Sequence, residues 1–416
     1  MKNVLFILSG NLSTTPRAVK AIQTLPAGVN CEVVMVNRSK LWKDKDVDII
    51  NDLNVKVNYL ELGRSPLVPW IKATFYQKLA TILYKFKKDS VWINGFASNK
   101  SAIILHQFLK KQEYSHIDLI MGHSGGSMFP GYMLSQIIKA PFLFDVEDYH
   151  PGESISSDAI NEKQRREDLM KFILPKANAI TYASPLIGEY TLKLIGGHHC
   201  HELVLNGFKE KEFIAPKEKG ENDRLKLVWF SQKVGYGRGL ENLFEALLGL
   251  KSLGANSIKL VLIGEMDDVF FDEKIKPNLN IFKENNVEIE CFPALPQPQL
   301  HNLLSTFDVG LALEFNEADF NRELCLTNKI ITYAQAGLYI FATNTKAQVQ
   351  FIEKDKNLGI ICNQTTFGVQ KSLKKLINNE MEIRSLAVER FRLGKKFSWE
   401  QESKKLENMW NQLLKK

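Results

Sequence analysis

No stretch of this chain is apolar for long enough to cross a bilayer. Its apolar runs, such as Asn3 to Ser9 and Leu225 to Ser231, have the length of strands and fall far short of the roughly 20 residues that a spanning helix needs. The N-terminus also lacks the makeup of a secretory signal. One lysine precedes a short apolar run, and Gly10 and Thr14-Thr15-Pro16-Arg17 follow it, a pattern that reads as a buried first strand. Cysteine is scarce: Cys31, Cys200, Cys291, Cys325 and Cys362 are scattered without CxxC spacing, which suits a reducing compartment better than a disulfide framework. No tract has the low hydrophobicity of a disordered chain, and the composition, 44% hydrophobic and 24% charged, is globular. The expected location is the cytoplasm.

The formal charge of +7 attracts polyanions of any kind, including anionic lipid and phosphorylated ligands. Nucleic acid is not expected as a partner, because no compact basic fold or recognised motif appears. At 416 residues the chain exceeds what one core usually supports, so two domains are expected.

Short β-rich apolar runs alternate with segments of helical period, the pattern of a parallel sheet wrapped by helices. The pattern occurs twice. In the first half, strands are predicted at Val4 to Leu8, Cys31 to Val36, Asp118 to Met121, Phe142 to Phe144, Ala179 to Tyr182 and Glu202 to Leu205, with helices such as Ser101 to Lys111 and Glu162 to Leu174 between them. The polar segment Lys209 to Arg224, with Gly220, reads as a linker. Strands then resume at Leu225 to Phe230, Leu260 to Ile263, Glu288 to Phe292, Val309 to Leu313, Tyr339 to Ala342 and Gly359 to Ile361. The expected fold is α/β, with two doubly wound domains at 1–207 and 208–395. A helical tail, 396–416, carries a discontinuous apolar stripe through Phe397, Trp399, Leu406, Met409, Trp410 and Leu413 and is expected to cross back to the first domain.

In open α/β sheets ligands bind outside the carboxyl ends of the strands, and chemically capable residues gather there. After the first strand, Gly10 and Asn11 lead to a helix start, although the spacing is not GxGxxG. Gly122-His123-Ser124-Gly125-Gly126 places a histidine in a glycine-rich loop at a predicted strand end, where His123 suits acid–base work or acceptor contact. Asp145, Glu147, Asp148 and His150 follow the next strand and suit a hydroxyl-rich acceptor. In the second half, Ser231-Gln232-Lys233-Val234-Gly235-Tyr236-Gly237-Arg238-Gly239 reads as a loop from strand to helix. Its glycines expose N–H groups, and Arg238 can fork onto phosphate oxygens, so a diphosphate fits. Further on, Glu314 stands near the end of the Val309 to Leu313 strand; Arg322 and Lys329 then supply positive charge for phosphates, while Glu323 and Asn328 offer partners for sugar hydroxyls or a base. His198-His199-Cys200-His201 has zinc-type side chains, but adjacent residues cannot all converge on one ion and no second cluster supplies the rest. No metal is expected. Residues Arg64 to Lys88 interleave Trp70, Phe75, Tyr76, Tyr84 and Phe86 with five lysines. Docking on an anionic membrane surface and packing of the aromatics inside the first domain both fit that spacing.

These motifs together resemble the GT-B glycosyltransferases of the retaining group related to bacterial capsule and lipopolysaccharide sugar transferases (glycosyltransferase family 4-like). Trp229 to Ala246 is similar to that group's strand, glycine loop and helix start, and Asn328 to Ala342 to its "NKxxEYMAAGLPVIA" segment. Asp145 to Glu153 is similar to the "DxHExYPE" loop, and Val204 to Gly207 to "vipNG". The resemblance implies two Rossmann-like domains facing a cleft and transfer without a bound metal or other cofactor. It places a UDP- or GDP-linked sugar on the C-terminal domain, held by Ser231, Gly237, Arg238, Gly239, Asn328, Lys329 and Thr332. It places a glycan or lipid-linked acceptor on the N-terminal domain, beside Gly10, Asn11, Asp145, Glu147, Asp148 and His150. In that scheme Arg238 and Lys329 offset diphosphate charge, while His123 and Glu323 are the catalytic pair. The implied role is cell-surface polysaccharide synthesis at the inner face of the membrane. Two departures stand out: the group's ribose-binding glutamate falls on Thr332, and its first phosphate-loop arginine falls on Gln232. A sugar-nucleotide epimerase of the same architecture and a catalytically silent sugar-nucleotide-binding protein are the competing expectations.

Overall fold

The computed structural model describes residues 2–155, 158–217, 224–250, 257–315 and 319–415, and Gly220 lies outside them. The chain forms two compact units, residues 1–205 with 403–416, and residues 206–402.

The first unit is built on β1 (Asn3–Leu8), β2 (Asn30–Asn37), β3 (Lys56–Glu61), β4 (Leu119–His123), β5 (Phe142–Val146), β6 (Ala179–Tyr182) and β7 (His201–Leu203). They form one parallel sheet in the order β3-β2-β1-β4-β5-β6-β7. From Val4 to Leu8 no side chain reaches solvent, as expected of a central parallel strand covered on both faces. The order reverses between β1 and β4, where Leu8 stands beside His123. That topological switch point is the usual ligand position of such sheets. The glycine-rich segment Gly122 to Gly126 is not a loop. His123 ends β4, Ser124 alone turns the chain at φ 66°, and Gly125 opens the helix Gly125–Ile138. Gly126 is required there, since a Cβ would sit 2.7 Å from that of Ser9.

The helix Trp399–Leu414 buries Leu406, Met409, Trp410 and Leu413. Trp410 Nε1 donates to Thr24 Oγ1 at 2.9 Å, and the indole meets the Phe6 ring edge-on at 6.2 Å. These contacts lie within the first unit.

The second unit repeats the plan with β8 (Leu225–Val234), β9 (Ile258–Met266), β10 (Val287–Phe292), β11 (Val309–Ala312), β12 (Tyr339–Thr343) and β13 (Gly359–Cys362). All are parallel, in the order β10-β9-β8-β11-β12-β13, and the switch point falls between β8 and β11. The strand β8 runs past Phe230, so Ser231 and Gln232 belong to the sheet rather than to a loop. Phe230 pairs with Ile263 and Lys233 with Glu265, which leaves one extra residue on β8. This is a β-bulge, a device that re-aims side chains at the end of a strand. It closes against Gly264, whose φ is 153° and where a Cβ would lie 2.4 Å from Ser231 O, so only glycine fits.

Candidate functional site

At the carboxyl ends of β8, β9 and β11 the second unit opens a pocket of about 450 Å3. One wall is apolar, made by Phe230, Ile263, Leu295 and Leu300, a surface suited to a flat base. The other carries charge. Glu314 is buried, and Arg322 Nη1 reaches it at 2.7 Å and Lys329 Nζ at 3.2 Å. Burial works against ionisation of Glu314, but Lys329 and then Arg322 outweigh it and hold the carboxyl below its ordinary value. Burial pushes the Lys329 ammonium down, Glu314 opposes, and Arg238 adds repulsion. The ammonium also rests 4.9 Å from the centre of the Trp229 ring, a cation–π contact. Arg238 lines the same pocket and makes no hydrogen bond or ion pair among the described residues. Three cations against one carboxylate leave two positive charges in surplus, matching the charge of a nucleotide sugar's diphosphate.

Backbone dipoles add to this field. The helix Asn328–Gln335 begins at the pocket, and its N-cap, Thr327, makes no side-chain capping bond. The first N–H groups are therefore open to an anion. Asn328 Oδ1 accepts from Asn206 Nδ2 at 2.7 Å, and Thr332 Oγ1 donates back to Asn328 O at 2.7 Å. Where a glutamate would offer two acceptors, the pocket presents a hydroxyl already engaged. Gly237 and Gly239 stand just behind Arg238 with φ 72° and 80°. At Gly239 a Cβ would strike the Phe315 ring at 2.4 Å, and the Gly237 N–H is held by Glu241. Glu323 does not line this pocket. Its Oε2 accepts from Lys346 N at 3.1 Å, while its Oε1 is buried without a hydrogen-bond partner among the described residues.

In the first unit, the ends of β4 and β5 meet in a buried ion pair. Arg17 donates Nε and Nη2 to the two oxygens of Asp145, each at 2.7 Å, and Nη1 to Val204 O at 2.7 Å. Thr181 Oγ1 adds a bond to Asp145 at 2.6 Å. Burial alone would raise the Asp145 carboxyl, yet Arg17 outweighs it and holds the group well below the carboxylate range. His123 Nδ1 stands 3.2 Å from Asp145 Oδ2, outside hydrogen-bond geometry, and its ring stacks on Phe6 at 6.1 Å. Glu147 is half-buried with no hydrogen bond or ion pair among the described residues. Burial, then the Asp145 charge, push its carboxyl up to about 7.

No protein-family model and no curated protein sequence matches the chain. Solved structures do. HepE of Anabaena, solved with UDP, is 12% identical and superposes with a TM-score of 0.67 over 99% of this chain and 100% of that one. Sucrose-phosphate synthase of Thermosynechococcus elongatus is 16% identical, with a TM-score of 0.63 over 99% of both chains. A glycosyltransferase of Rickettsia africae is 12% identical, with a TM-score of 0.62 over 100% of this chain and 99% of that one. The fold is GT-B.

On this GT-B chain, the pocket of the second unit gathers Ser231, Arg238, Asn328, Lys329 and Thr332 from the residues singled out in sequence. In the first unit, Asp145, Glu147 and His123 share one strand-end cluster. Asn11 is used elsewhere: its amide donates to Asp46 Oδ2 at 2.7 Å and to Asn37 Oδ1 at 3.2 Å. Gly10 lies at the preceding turn, with a Cβ position 3.2 Å from Thr14 Oγ1. His150 turns into a network with Glu153, at 3.1 Å from Nδ1, which Arg166 joins. Burial would lower the His150 imidazole, but Glu153 outweighs it and raises the value. Of the histidine run, His198 Nε2 lies 3.1 Å from Ala177 O and His201 Nδ1 3.1 Å from Tyr182 OH. Among the described residues, no group of three His, Cys, Asp or Glu side chains is placed to hold a metal ion.

The pocket also contains residues that the sequence did not single out. His301 stacks on Phe213 at 4.6 Å, meets Phe208 edge-on at 4.6 Å, and contacts Glu212 Oε2 through Nδ1 at 2.9 Å. Gln297 Nε2 donates to the same carboxylate oxygen at 2.8 Å. The helix Gln297–Leu304 carries His301 among leucines and glutamines, and nothing local distinguishes it. Its partner stands in the segment read as a linker.

Proposed function

We propose that this chain is a glycosyltransferase that holds a nucleoside-diphosphate sugar, UDP- or GDP-linked, in the pocket of its second unit. It transfers the sugar with retention to a glycan or lipid-linked glycan taken by the first unit, in cell-surface polysaccharide synthesis at the inner face of the membrane. The observation that carries this reading is the two-charge surplus of Arg238, Arg322 and Lys329 over Glu314, at the start of a helix and beside an apolar wall. A base and a diphosphate need those two surfaces in that order. HepE, with the same fold, was solved with UDP.

In the reaction, the anomeric carbon's bond to the diphosphate oxygen breaks as the acceptor hydroxyl oxygen bonds to that carbon. Both electrons of the broken bond stay on the diphosphate, and the acceptor's proton passes to that leaving group. Negative charge grows on the diphosphate during this step, and Arg238, Lys329 and the open N–H groups of Asn328–Gln335 stabilise it. His123, backed by Asp145, is the proposed polar group on the acceptor side, with Glu147 and Asp148 beside it. Glu323, with one carboxylate oxygen that has no hydrogen-bond partner among the described residues, is proposed to serve the donor sugar.

The test is a screen of UDP- and GDP-sugars labelled in the sugar, with the purified chain and no acceptor. Slow release of free sugar together with the nucleoside diphosphate from one donor, abolished in Arg238→Ala, is the expected result. Interconversion of the bound sugar into its epimer would point to the epimerase reading instead, and binding without turnover to a silent binding protein.

A further inference from the structure

The helix Leu67–Tyr84 is apolar on both faces, and its larger apolar side chains point outward. A surface helix ordinarily turns its apolar stripe to the core. Here the inward positions are Ala73, Ala80 and Tyr84, all buried, and Gln77 Nε2 fixes that face by donating to Ala97 O at 2.9 Å. Small inward side chains let the helix approach its neighbours closely, and the larger apolar residues are left outside. Val68, Ile71, Phe75, Leu79 and Ile82 fall within about 80° of arc at 100° per residue, and Phe86 extends the line beyond the last turn. Val68 is 73% exposed, Phe75 63% and Phe86 83%.

The charge around this stripe has one sign. From residue 64 to 88 the sequence holds Arg64, Lys72, Lys78, Lys85, Lys87 and Lys88 and no acidic residue. None of the five lysines is in an ion pair among the described residues. Lys100 lies over the Trp70 ring at 4.6 Å, and its amine is lowered by burial and then by the nearby charges of Arg38 and Lys78. Asp89 and Asp158 lie near its C-terminal end, where the Asp158 carboxyl is lowered by Asn161, then by Arg165, and in part by Lys85. None of the five lysines is tied to a carboxylate among the described residues, so the flank of the helix stays cationic.

We propose that the outward face of Leu67–Tyr84, continued by Phe86, is a docking surface for an anionic lipid bilayer. The helix lies in the plane of the headgroups, with the apolar stripe below them and the lysine ammonium groups snorkelling to lipid phosphates. A second copy of this chain is the poorer occupant, because two such faces would bring six cations against six. The proposal deepens the transferase reading, and rests on it for the lipid-linked acceptor that would be met there. The surface itself stands on the geometry of this helix.

The test is co-sedimentation of the full chain with vesicles of phosphatidylglycerol and phosphatidylcholine, against phosphatidylcholine alone, with UDP or GDP titrated into the same samples. Binding only to the anionic vesicles, weakened by salt, is expected. The triple variant Lys85→Gln, Lys87→Gln and Lys88→Gln should weaken partitioning about 100-fold, at the energy typical of a basic residue near a charged leaflet. The pair Phe75→Ser and Phe86→Ser should weaken it at least about tenfold. All these positions face solvent, so the melting temperatures should match that of the parent. Equal binding to phosphatidylcholine alone, no binding at all, or binding that both variants leave unchanged would overturn the proposal. So would a soluble dimer that Phe75→Ser converts to a monomer. Vesicle binding by a chain that takes up neither UDP nor GDP would leave this surface standing and count against the transferase reading.

Discussion

Glu147 sets a pH dependence that can be worked from its surroundings. Its carboxyl is raised from 4.5 to about 7, so between those values the folded state holds a proton that the unfolded chain has released. Stability from this group is fully present below pH 4.5, falls as pH rises, and is lost once pH passes about 7. At one pKa unit per roughly 1.4 kcal/mol, the folded state at pH 8 carries a cost of at most about 3 kcal/mol, less whatever the solvent-facing edge of the carboxylate screens. Glu147→Gln removes the ionisation and keeps the shape. Urea unfolding of both proteins should give nearly equal stabilities at pH 4.5, with the variant ahead by about 2 to 3 kcal/mol at pH 8. A difference that does not change with pH, or a variant less stable at pH 8, would refute the reasoning. It would mean that the Glu147 carboxylate is paired or solvated after all.

Breaking the Arg17–Asp145 pair should be far more damaging than removing an exposed one. Arg17→Ala leaves a buried carboxylate with only the Thr181 hydroxyl and the His123 ring beside it among the described residues, and urea unfolding should show a loss of about 3–5 kcal/mol; a loss under about 1 kcal/mol would contradict the geometry. Gly239→Ala places a methyl into the Phe315 ring at a positive φ, so UDP affinity should fall while the circular dichroism spectrum stays that of the parent. Trp410→Ala should cost about 3–5 kcal/mol of the first unit's stability, read by thermal unfolding, because the indole is fully buried and bonded to Thr24.

The two sheets were legible because a central parallel strand, covered on both faces, announces itself as a short apolar run. The exception is β3, Lys56–Glu61, an edge strand whose side chains are mostly half-exposed, so its KVNYLE pattern carries little hydrophobic signal. The bulge at Ser231–Gln232 was invisible for another reason: it depends on the register of β8 against β9, which no local pattern encodes. The same holds for the Glu212–His301 contact, formed across 89 positions of sequence. Glu314 was visible as a strand-end acid, but its role as the carboxylate shared by Lys329 and Arg322 is a property of packing. On Leu67–Tyr84 both faces are apolar, and the outward one is the larger. Sequence could name the aromatics there, whereas which of them turn inward, Tyr84 and not Phe75, follows from the close seat of Ala73 and Ala80.

The central claim is that the pocket of the second unit is a nucleoside-diphosphate site built around Arg238, which has no partner among the described residues. Calorimetric titration of UDP, and of GDP in parallel, into the full chain and into Arg238→Ala tests it most directly. The account predicts binding of one of the two nucleotides by the parent. It predicts a loss of about tenfold to 100-fold in the variant, the worth of one charge-assisted hydrogen bond, with no change in melting temperature without ligand, since Arg238 makes no hydrogen bond or ion pair among the described residues. Failure of both nucleotides to bind, or binding of equal strength in the variant, would contradict it.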